Sequence, residues 1–338
     1  MSYIQEEAMA VNLKRRSYLT LKDFQREEIL YLLDLAADLK AKKRAGILGD
    51  TLRGKNIVLM FDKTSTRTRC SFEVAAMDEG AGVTYLDKNG SQVGKKESIE
   101  DSARVLGRFY DGIEYRGYDQ ALVEDLAKYS GIPVWNGLTD VDHPTQALAD
   151  VMTLRENTKK PLDQCKIVFC GDTRNNVAYC LMYICCKLGI DYYGWGPEEL
   201  SPAEDVMAYC RAEGARTGAK IEYGPGMEGL RGADVIYTDI WASMGEEDKI
   251  PERVALLTPY RVTMDVLRST ENPACIFMHC LPSFHDFETD MARQQMELGY
   301  DIREVTDEVF RSPVSKVFDE AENRLHTIKA VIVATIGR

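Results

Sequence analysis

The feature that most constrains this chain is an alternation of strand-like and helix-like segments that runs once and then starts again. The apolar run NIVLMF (56–61) leads through a polar cluster into the helix-like CSFEVAAMDEG, which Gly80 closes. VTYLD, SIEDSARVLGRFY, ALVEDLAKYS and IPVWNGL follow. A helix beginning at Pro144 and reaching about residue 156 leads to the polar break KPLDQ. CKIVFCGDTRNNVAYCLMYICCKLG then opens a second series, continued by DYYGW, IEYG, ADVIYTDIW and ACIFMHCLP. Parallel strands need crossovers long enough to hold a helix, so this order predicts parallel sheets with helices on their faces. The expected fold is α/β with two domains, each a parallel sheet flanked by helices, linked by interdomain helices. The first domain is expected at 1–146 and the second at 147–317, with a last helix at 318–338 returning to the first. A further amphipathic helix is expected over 20–45, where Leu21, Phe24, Ile29, Leu32, Leu33, Leu35 and Leu39 fall near helical spacing.

Open parallel sheets bind ligands beyond the carboxyl ends of their strands. Residues just after NIVLMF, WNGL, IVFC, VIYTDIW and IFMHC are therefore the candidates. Charge sharpens the search. The 42 Lys+Arg against 54 Asp+Glu give a net charge of −12, which disfavours nucleic acid as a partner and makes a local knot of arginines informative. No apolar stretch reaches the ~20 residues of a membrane span. The N-terminal MSYIQEEAMAVNLKRR has no apolar signal core and carries Glu6 and Glu7, so a cytoplasmic protein is expected. The nine cysteines form no C-x-x-C pair. Cys165, Cys170, Cys180, Cys185 and Cys186 lie in apolar runs, as reduced core thiols do.

Ser65-Thr66-Arg67-Thr68-Arg69 falls where the first strand becomes a helix. Free N–H groups and the helix dipole favour an oxyanion there, and the hydroxyls and an arginine fork exceed what a cap requires. A small phosphate-like anion is the expected ligand, with Arg67 as its contact and Arg69 structural. No G-x-x-x-x-G-K-[ST] is present, and GDTRNN lacks G-x-G-x-x-G, so P-loop and dinucleotide chemistry lose their signals. In HPTQ, Pro144 suits a first helical turn and leaves His143 at the helix start. The dipole there favours a neutral imidazole able to donate to a carbonyl oxygen, the alternative being a simple capping histidine. Gln146 offers a donor and an acceptor on the same turn. Arg116 is read as a loop residue after a strand-like segment. His279-Cys280-Leu281-Pro282 ends the strand CIFM; its Leu281-Pro282 bond suits a cis turn, and Cys280 is either a nucleophile or a pocket thiol. DIWASMG, from Asp239 to Gly245, offers a carboxylate, a hydroxyl and loop backbone to a small zwitterion, or is a loop with an aspartate cap.

Together STRTR, HPTQ, HCLP and D-x-x-x-SMG resemble the carbamoyltransferase family over nearly the whole chain. The first two are shared by carbamoyl phosphate users in general, and Ser243-Met244-Gly245 with HCLP points toward ornithine as the acceptor. The resemblance implies that the first domain binds carbamoyl phosphate and the second ornithine. Ser65, Thr66, Arg67 and Thr68 would bind the phosphate, while Arg116, His143 and Gln146 would complete that site and grip the carbamoyl group. Arg324 would join the carbamoyl side, with Cys280 and Leu281 beside the reacting amine. Asn176, Asp239, Ser243 and Met244 would hold the α-groups of ornithine, and Gln92 would enter from the neighbouring subunit of a homotrimer. Arg67, Arg116, His143 and Cys280 form the implied catalytic set, in a direct transfer without metal or cofactor that yields citrulline and phosphate. Larger assemblies of trimers are compatible with this. Lys95 and Lys96, close to Gln92, either add attraction for phosphate or are a solvated pair.

Other acceptors fit less well. Aspartate needs cations that DIWASMG lacks, putrescine leaves Asn176 and the SMG loop without a role, and N-acetylornithine needs room where Asp239 stands. A non-catalytic anion-binding protein on the same scaffold is the rival outside the enzyme class. Anabolic and catabolic members share these motifs, which leaves the physiological direction open.

Overall fold

The computed structural model describes residues 11–88, 96–242 and 245–338. Its first sheet holds β1 (Asn56–Phe61), β2 (Gly82–Asp87), β3 (Gly112–Arg116) and β4 (Val134–Leu138), all parallel, in the order β2-β1-β3-β4. The second holds β5 (Lys166–Cys170), β6 (Asp191–Trp195), β7 (Ile221–Gly224), β8 (Val235–Thr238) and β9 (Ile276–His279), also parallel, in the order β7-β6-β5-β8-β9. The α/β class and the pair of parallel sheets expected from the alternation are what the chain forms. β3, β4 and β8 are buried along their whole length, as strands covered on both faces must be.

Helices α1 (Arg26–Arg44), α2 (Thr66–Asp78), α3 (Ile99–Phe109) and α4 (Gln120–Ser130) accompany the first sheet, and α5 (Pro144–Asn157) leaves it. Around the second lie α6 (Asn176–Leu188), α7 (Glu204–Thr217), α8 (Ile250–Leu257), α9 (Met264–Ser269), α10 (Asp290–Glu297) and α11 (Asp307–Phe310). The last helix, α12 (Val317–Ile336), packs back against α5, α1 and α2. Trp135 Nε1 on β4 donates to Thr335 Oγ1 on α12 at 3.0 Å, fastening the chain's end to the first sheet. Every residue of α5 from Pro144 to Leu154 is buried. A helix enclosed on all sides like this transmits the position of its N-terminus rigidly to its neighbours. Among the described residues, no helix is long and apolar enough to cross a membrane.

Three local boundaries differ from expectation. The predicted helix over 20–45 is divided: Thr20 caps a short turn at Leu21–Asp23, and Gln25 with Glu28 forms a capping box that starts α1 afresh. Helix α2 begins at Thr66 rather than near Cys70, because Ser65 Oγ accepts from the Thr68 N–H and closes the first turn. Arg116, read from the sequence as a loop residue, is the buried last residue of β3. Its register partner is Phe61, and its carbonyl accepts from the N–H groups of Asp62 and Lys63.

In the first sheet the winding reverses between β1 and β3, and in the second between β5 and β8. Loops leaving the carboxyl ends of such strand pairs diverge and open a crevice. The segments after β1, β3, β5 and β8 are those that carry the polar motifs.

Candidate functional site

The two crevices share a cleft of about 370 Å³. Ser65, Thr66 and Arg67 enter it from the start of α2, Arg116 from β3 and His143 from the start of α5. Asn176, Asp239, Cys280 and Leu281 face them from the second sheet, and Arg324 reaches in from α12. The space continues into a neighbouring one of about 420 Å³ that shares Lys63, Asn176 and Ile240. There is room for two small substrates side by side.

Three guanidinium groups define the charge of this cleft. Arg116 Nη1 and Arg324 Nη2 both donate to Thr68 Oγ1, at 3.2 and 2.6 Å. Thr68 is buried behind the cleft wall, so its hydroxyl holds the two arginines together while keeping one proton to donate. The Nε atoms of Arg67, Arg116 and Arg324 are buried without a hydrogen-bond partner, and none of the three side chains pairs with a carboxylate among the described residues. Burial and mutual repulsion lower their affinity for protons. Arg116 is brought down to about 9 by burial and Arg324, and Arg324 to about 10 by burial and Arg67. Arg67 is lowered as well, chiefly by burial. Three confined cations with unfilled donors are unfavourable alone and strongly favourable around a dianion.

His143 caps α5 and is almost wholly buried. Burial and then Arg324, Arg116, Arg67 and Lys63 push its pKa well below the usual imidazole value, so the ring is neutral. Thr145 Oγ1 engages Nδ1 at 3.3 Å, leaving Nε2 for a ligand. Gln146 lies behind this wall instead of on it: its side chain is fully buried and Nε2 donates to Asp150 and Glu320. Arg69, the arginine read as structural, pairs with Glu73 at 2.9 Å and stacks over Tyr85.

On the opposite wall, Cys280 Sγ donates to Asp239 Oδ1 at 3.1 Å. Burial and the Asp239 carboxylate push the thiol well above its ordinary pKa. Of the two roles open to Cys280 from the sequence, the protonated pocket thiol fits and the thiolate nucleophile does not. Asp239 also accepts from Asn175 Nδ2 at 3.3 Å, and Asn176 Nδ2 donates to the Thr139 carbonyl at 2.6 Å. Leu281 and Pro282 are joined by a cis peptide bond. Gln92, Lys95, Ser243 and Met244 lie outside the described residues, and Lys96 is exposed.

Two side-chain groups have metal-ligand types within reach of one another among the described residues. In the first, Asp239, His279 and Cys280, both ring nitrogens of His279 are engaged: Nε2 with Glu304 at 3.0 Å and Nδ1 with the Leu281 N–H at 2.9 Å. In the second, His285, Asp286 and Asp307, Arg311 already pairs with both aspartates. Neither is arranged as an open metal site.

Sequence reasoning missed Lys63, Glu114, Asp150 and Glu320. Lys63 lines the cleft and lies 3.5 Å from Asp140; the carboxyl-end rule applied to NIVLMF would have found it. Glu114, two residues before Arg116 on β3, is fully buried, and neither oxygen has a hydrogen-bond partner among the described residues. Its pKa is raised well above normal by burial, an effect opposed by Arg116 and Arg324. No one-dimensional signal distinguishes such buried carboxyls from surface ones.

Comparison with known proteins agrees with this geometry. Residues 16–156 match the family model for the aspartate/ornithine carbamoyltransferase carbamoyl-P binding domain, and residues 163–335 the Asp/Orn binding domain. A catabolic ornithine carbamoyltransferase of Clostridium perfringens is 62% identical over 98% of this chain and the whole of that protein. An ornithine carbamoyltransferase of Limosilactobacillus reuteri is 55% identical over 97% of this chain and 99% of that one. The solved ornithine carbamoyltransferase from Pyrococcus furiosus superposes with a TM-score of 0.88 at 41% identity, covering 97% of this chain and 99% of its own.

Proposed function

Since the chain belongs to the aspartate/ornithine carbamoyltransferase family, we propose that it transfers the carbamoyl group of carbamoyl phosphate to the δ-amine of L-ornithine, giving L-citrulline and phosphate. The observation that carries this reading is the convergence of Arg67, Arg116 and Arg324, none with a carboxylate partner among the described residues, beside a neutral His143. That set suits a phosphate dianion joined to a polarised carbonyl.

The phosphate sits among Ser65, Thr66, Arg67 and the start of α2, and the carbamoyl carbonyl oxygen accepts from Arg116 and His143, with Thr68 holding Arg116 and Arg324 in place from behind. The neutral δ-amine attacks the carbamoyl carbon, the new N–C bond forms, and the C–O bond to phosphate breaks. The amine's surplus proton leaves with the departing phosphate. Preorganised donors stabilise charge growing on the carbonyl and phosphate oxygens, and alignment of two substrates in one cleft supplies much of the rest. Asn176, Asp239, Ser243 and Met244 hold the amino-acid end, and Cys280 as a thiol packs beside the reacting nitrogen. Binding of carbamoyl phosphate, by neutralising the arginines, favours closure of the second unit (147–317) over the first (1–146 with 318–338). Gln92 reaches the site of a neighbouring subunit in a cytoplasmic homotrimer.

The test offers carbamoyl phosphate with ornithine, putrescine, aspartate or N-acetylornithine in parallel and measures the ureido product. Citrulline from ornithine alone is expected. A larger rate with putrescine would reassign the acceptor, and no product from any amine would favour an anion-binding protein.

A further inference from the structure

Within the HCLP segment, Cys280 and Leu281 line the cleft, whereas His279, the last residue of β9, is wholly buried and does not. Its ring is engaged at both nitrogens. Nδ1 accepts from the Leu281 N–H at 2.9 Å, two residues along the chain, and Nε2 faces Glu304 Oε1 at 3.0 Å. The same Glu304 oxygen accepts from Ser283 Oγ at 2.6 Å and from the Phe284 N–H at 2.7 Å. Glu304 is fully buried as well. The Val262 N–H donates to the Glu304 carbonyl at 2.9 Å and the Thr306 N–H to the Val262 carbonyl at 3.0 Å, which anchors the segment that carries this carboxylate. One side chain thus gathers the chain on both sides of Leu281 and Pro282.

These contacts fix the state of the ring. An N–H can point at Nδ1 only when that nitrogen is bare, so the single ring proton is on Nε2 and is directed at Glu304. Burial lowers the ring's affinity for a second proton, and Glu304, Asp239 and Glu320 raise it, with a net rise. That second proton would sit on Nδ1 against the Leu281 N–H, so the bond to Leu281 belongs to the neutral ring. Leu281 has a φ of +56°, in the left-handed region that a residue with a side chain seldom keeps unless its surroundings impose it. The bond to Nδ1 imposes it from one side, and the bonds of Ser283 and Phe284 to Glu304 close the turn on the other.

We propose that His279 and Glu304 are positioning residues for the acceptor side of the transfer: Glu304 keeps the ring proton on Nε2, and the bare Nδ1 holds the Leu281 turn against the reacting amine. Neither side chain touches a substrate. Both act through the backbone that places Cys280 and Leu281 on the cleft wall. This rests on the carbamoyl-transfer reading above.

Two substitutions separate the two ring nitrogens. His279→Asn sets an amide oxygen where Nδ1 stands and gives up the Nε2 contact, whereas His279→Gln sets an amide where Nε2 stands and gives up Nδ1. At saturating carbamoyl phosphate, kcat/KM for ornithine is expected to fall roughly tenfold in His279→Gln, the scale of one hydrogen bond, and to stay within about threefold of wild type in His279→Asn. Stability in urea should fall comparably in both, since each loses one contact. Inhibition by inorganic phosphate, which reads the opposite wall, should not change. Equal losses of activity in the two variants, or losses that follow stability, overturn the inference and leave His279 a structural residue. Should neither variant fold, nuclear magnetic resonance of the wild-type protein with 15N-labelled histidine and leucine decides. A scalar coupling between the Leu281 amide nitrogen and an unprotonated Nδ1 supports the inference, and a ring protonated at Nδ1 overturns it. Citrulline formation by wild type alongside equal losses in the variants removes this inference alone, whereas a wild type that forms no citrulline removes the transfer reading as well.

Discussion

Replacing Thr68 by valine removes a hydroxyl and almost nothing else. The residue is fully buried, and valine keeps its shape. Its Oγ1 accepts from Arg324 at 2.6 Å and from Arg116 at 3.2 Å, and its own proton is directed by these bonds toward other acceptors. A hydrogen bond to a charged group contributes about 1.5–3 kcal/mol, the longer contact lying at the weak end. The bound phosphate would re-satisfy part of what the arginines lose. We therefore expect a net loss near 2 kcal/mol in the transition state, about 30-fold in kcat/KM for carbamoyl phosphate. Citrulline formation at varied carbamoyl phosphate and saturating ornithine measures it, alongside a thermal melt. KM for ornithine should stay within about twofold, because ornithine touches the opposite wall, and the melting temperature should shift by only about 2–4 °C. A kcat/KM within about threefold of wild type would refute the role given to this hydroxyl. A collapse of stability equal to the loss of activity would make Thr68 a purely structural residue.

Gly137→Ala would place a methyl 1.9 Å from Glu114 Oε1 and 3.2 Å from Thr68 Cγ2. Glu114 is fully buried and must shift to admit it, so about 2 kcal/mol of stability and most carbamoyl phosphate binding should go together, as read by denaturation and kinetics. Ser65→Ala should cost about 1 kcal/mol through loss of the α2 cap. Ser65→Asp should recover that stability but not activity, since it sets a carboxylate in the anion site. Asp142 is buried and its pKa is raised to about 7 by burial. A folded pKa above the unfolded one gives stability that is complete below about pH 3.8 and lost as pH rises to 7. Asp142→Asn should therefore match wild type near pH 4 and exceed it by up to about 4 kcal/mol at pH 8 in urea titrations; a constant difference across that range would contradict the assignment.

Much of the fold could be read from the chain because buried parallel strands leave short apolar runs, such as NIVLMF and IVFC, separated by helical periods. The carboxyl-end rule pointed to the segments that carry Arg67, His143, Asp239 and Cys280, and the family resemblance implied that they share one site. What escaped was set by three-dimensional burial. Helix α2 starts four residues early because Ser65 caps it, which is a side-chain geometry and no pattern of apolar residues. Arg116 looked like a loop residue because a charged strand end has no apolar signature. Glu114, Asp150 and Glu320 look like surface carboxyls in one dimension. Their partners lie on other elements, with Gln146 and Glu320 separated by 174 positions along the chain. Gln146 itself was found, but its place behind the wall depends on those unseen partners.

Arg67, Arg116 and Arg324, without a carboxylate partner among the described residues, are expected to form a dianion site. Calorimetric titration of the protein with carbamoyl phosphate, ornithine absent, tests it most directly, with wild type and Arg67→Ala compared at equal folded fraction. Saturable binding of one ligand per chain is expected in wild type, with a loss of at least tenfold in affinity in the variant. Undiminished binding in Arg67→Ala, or none in wild type, would contradict it.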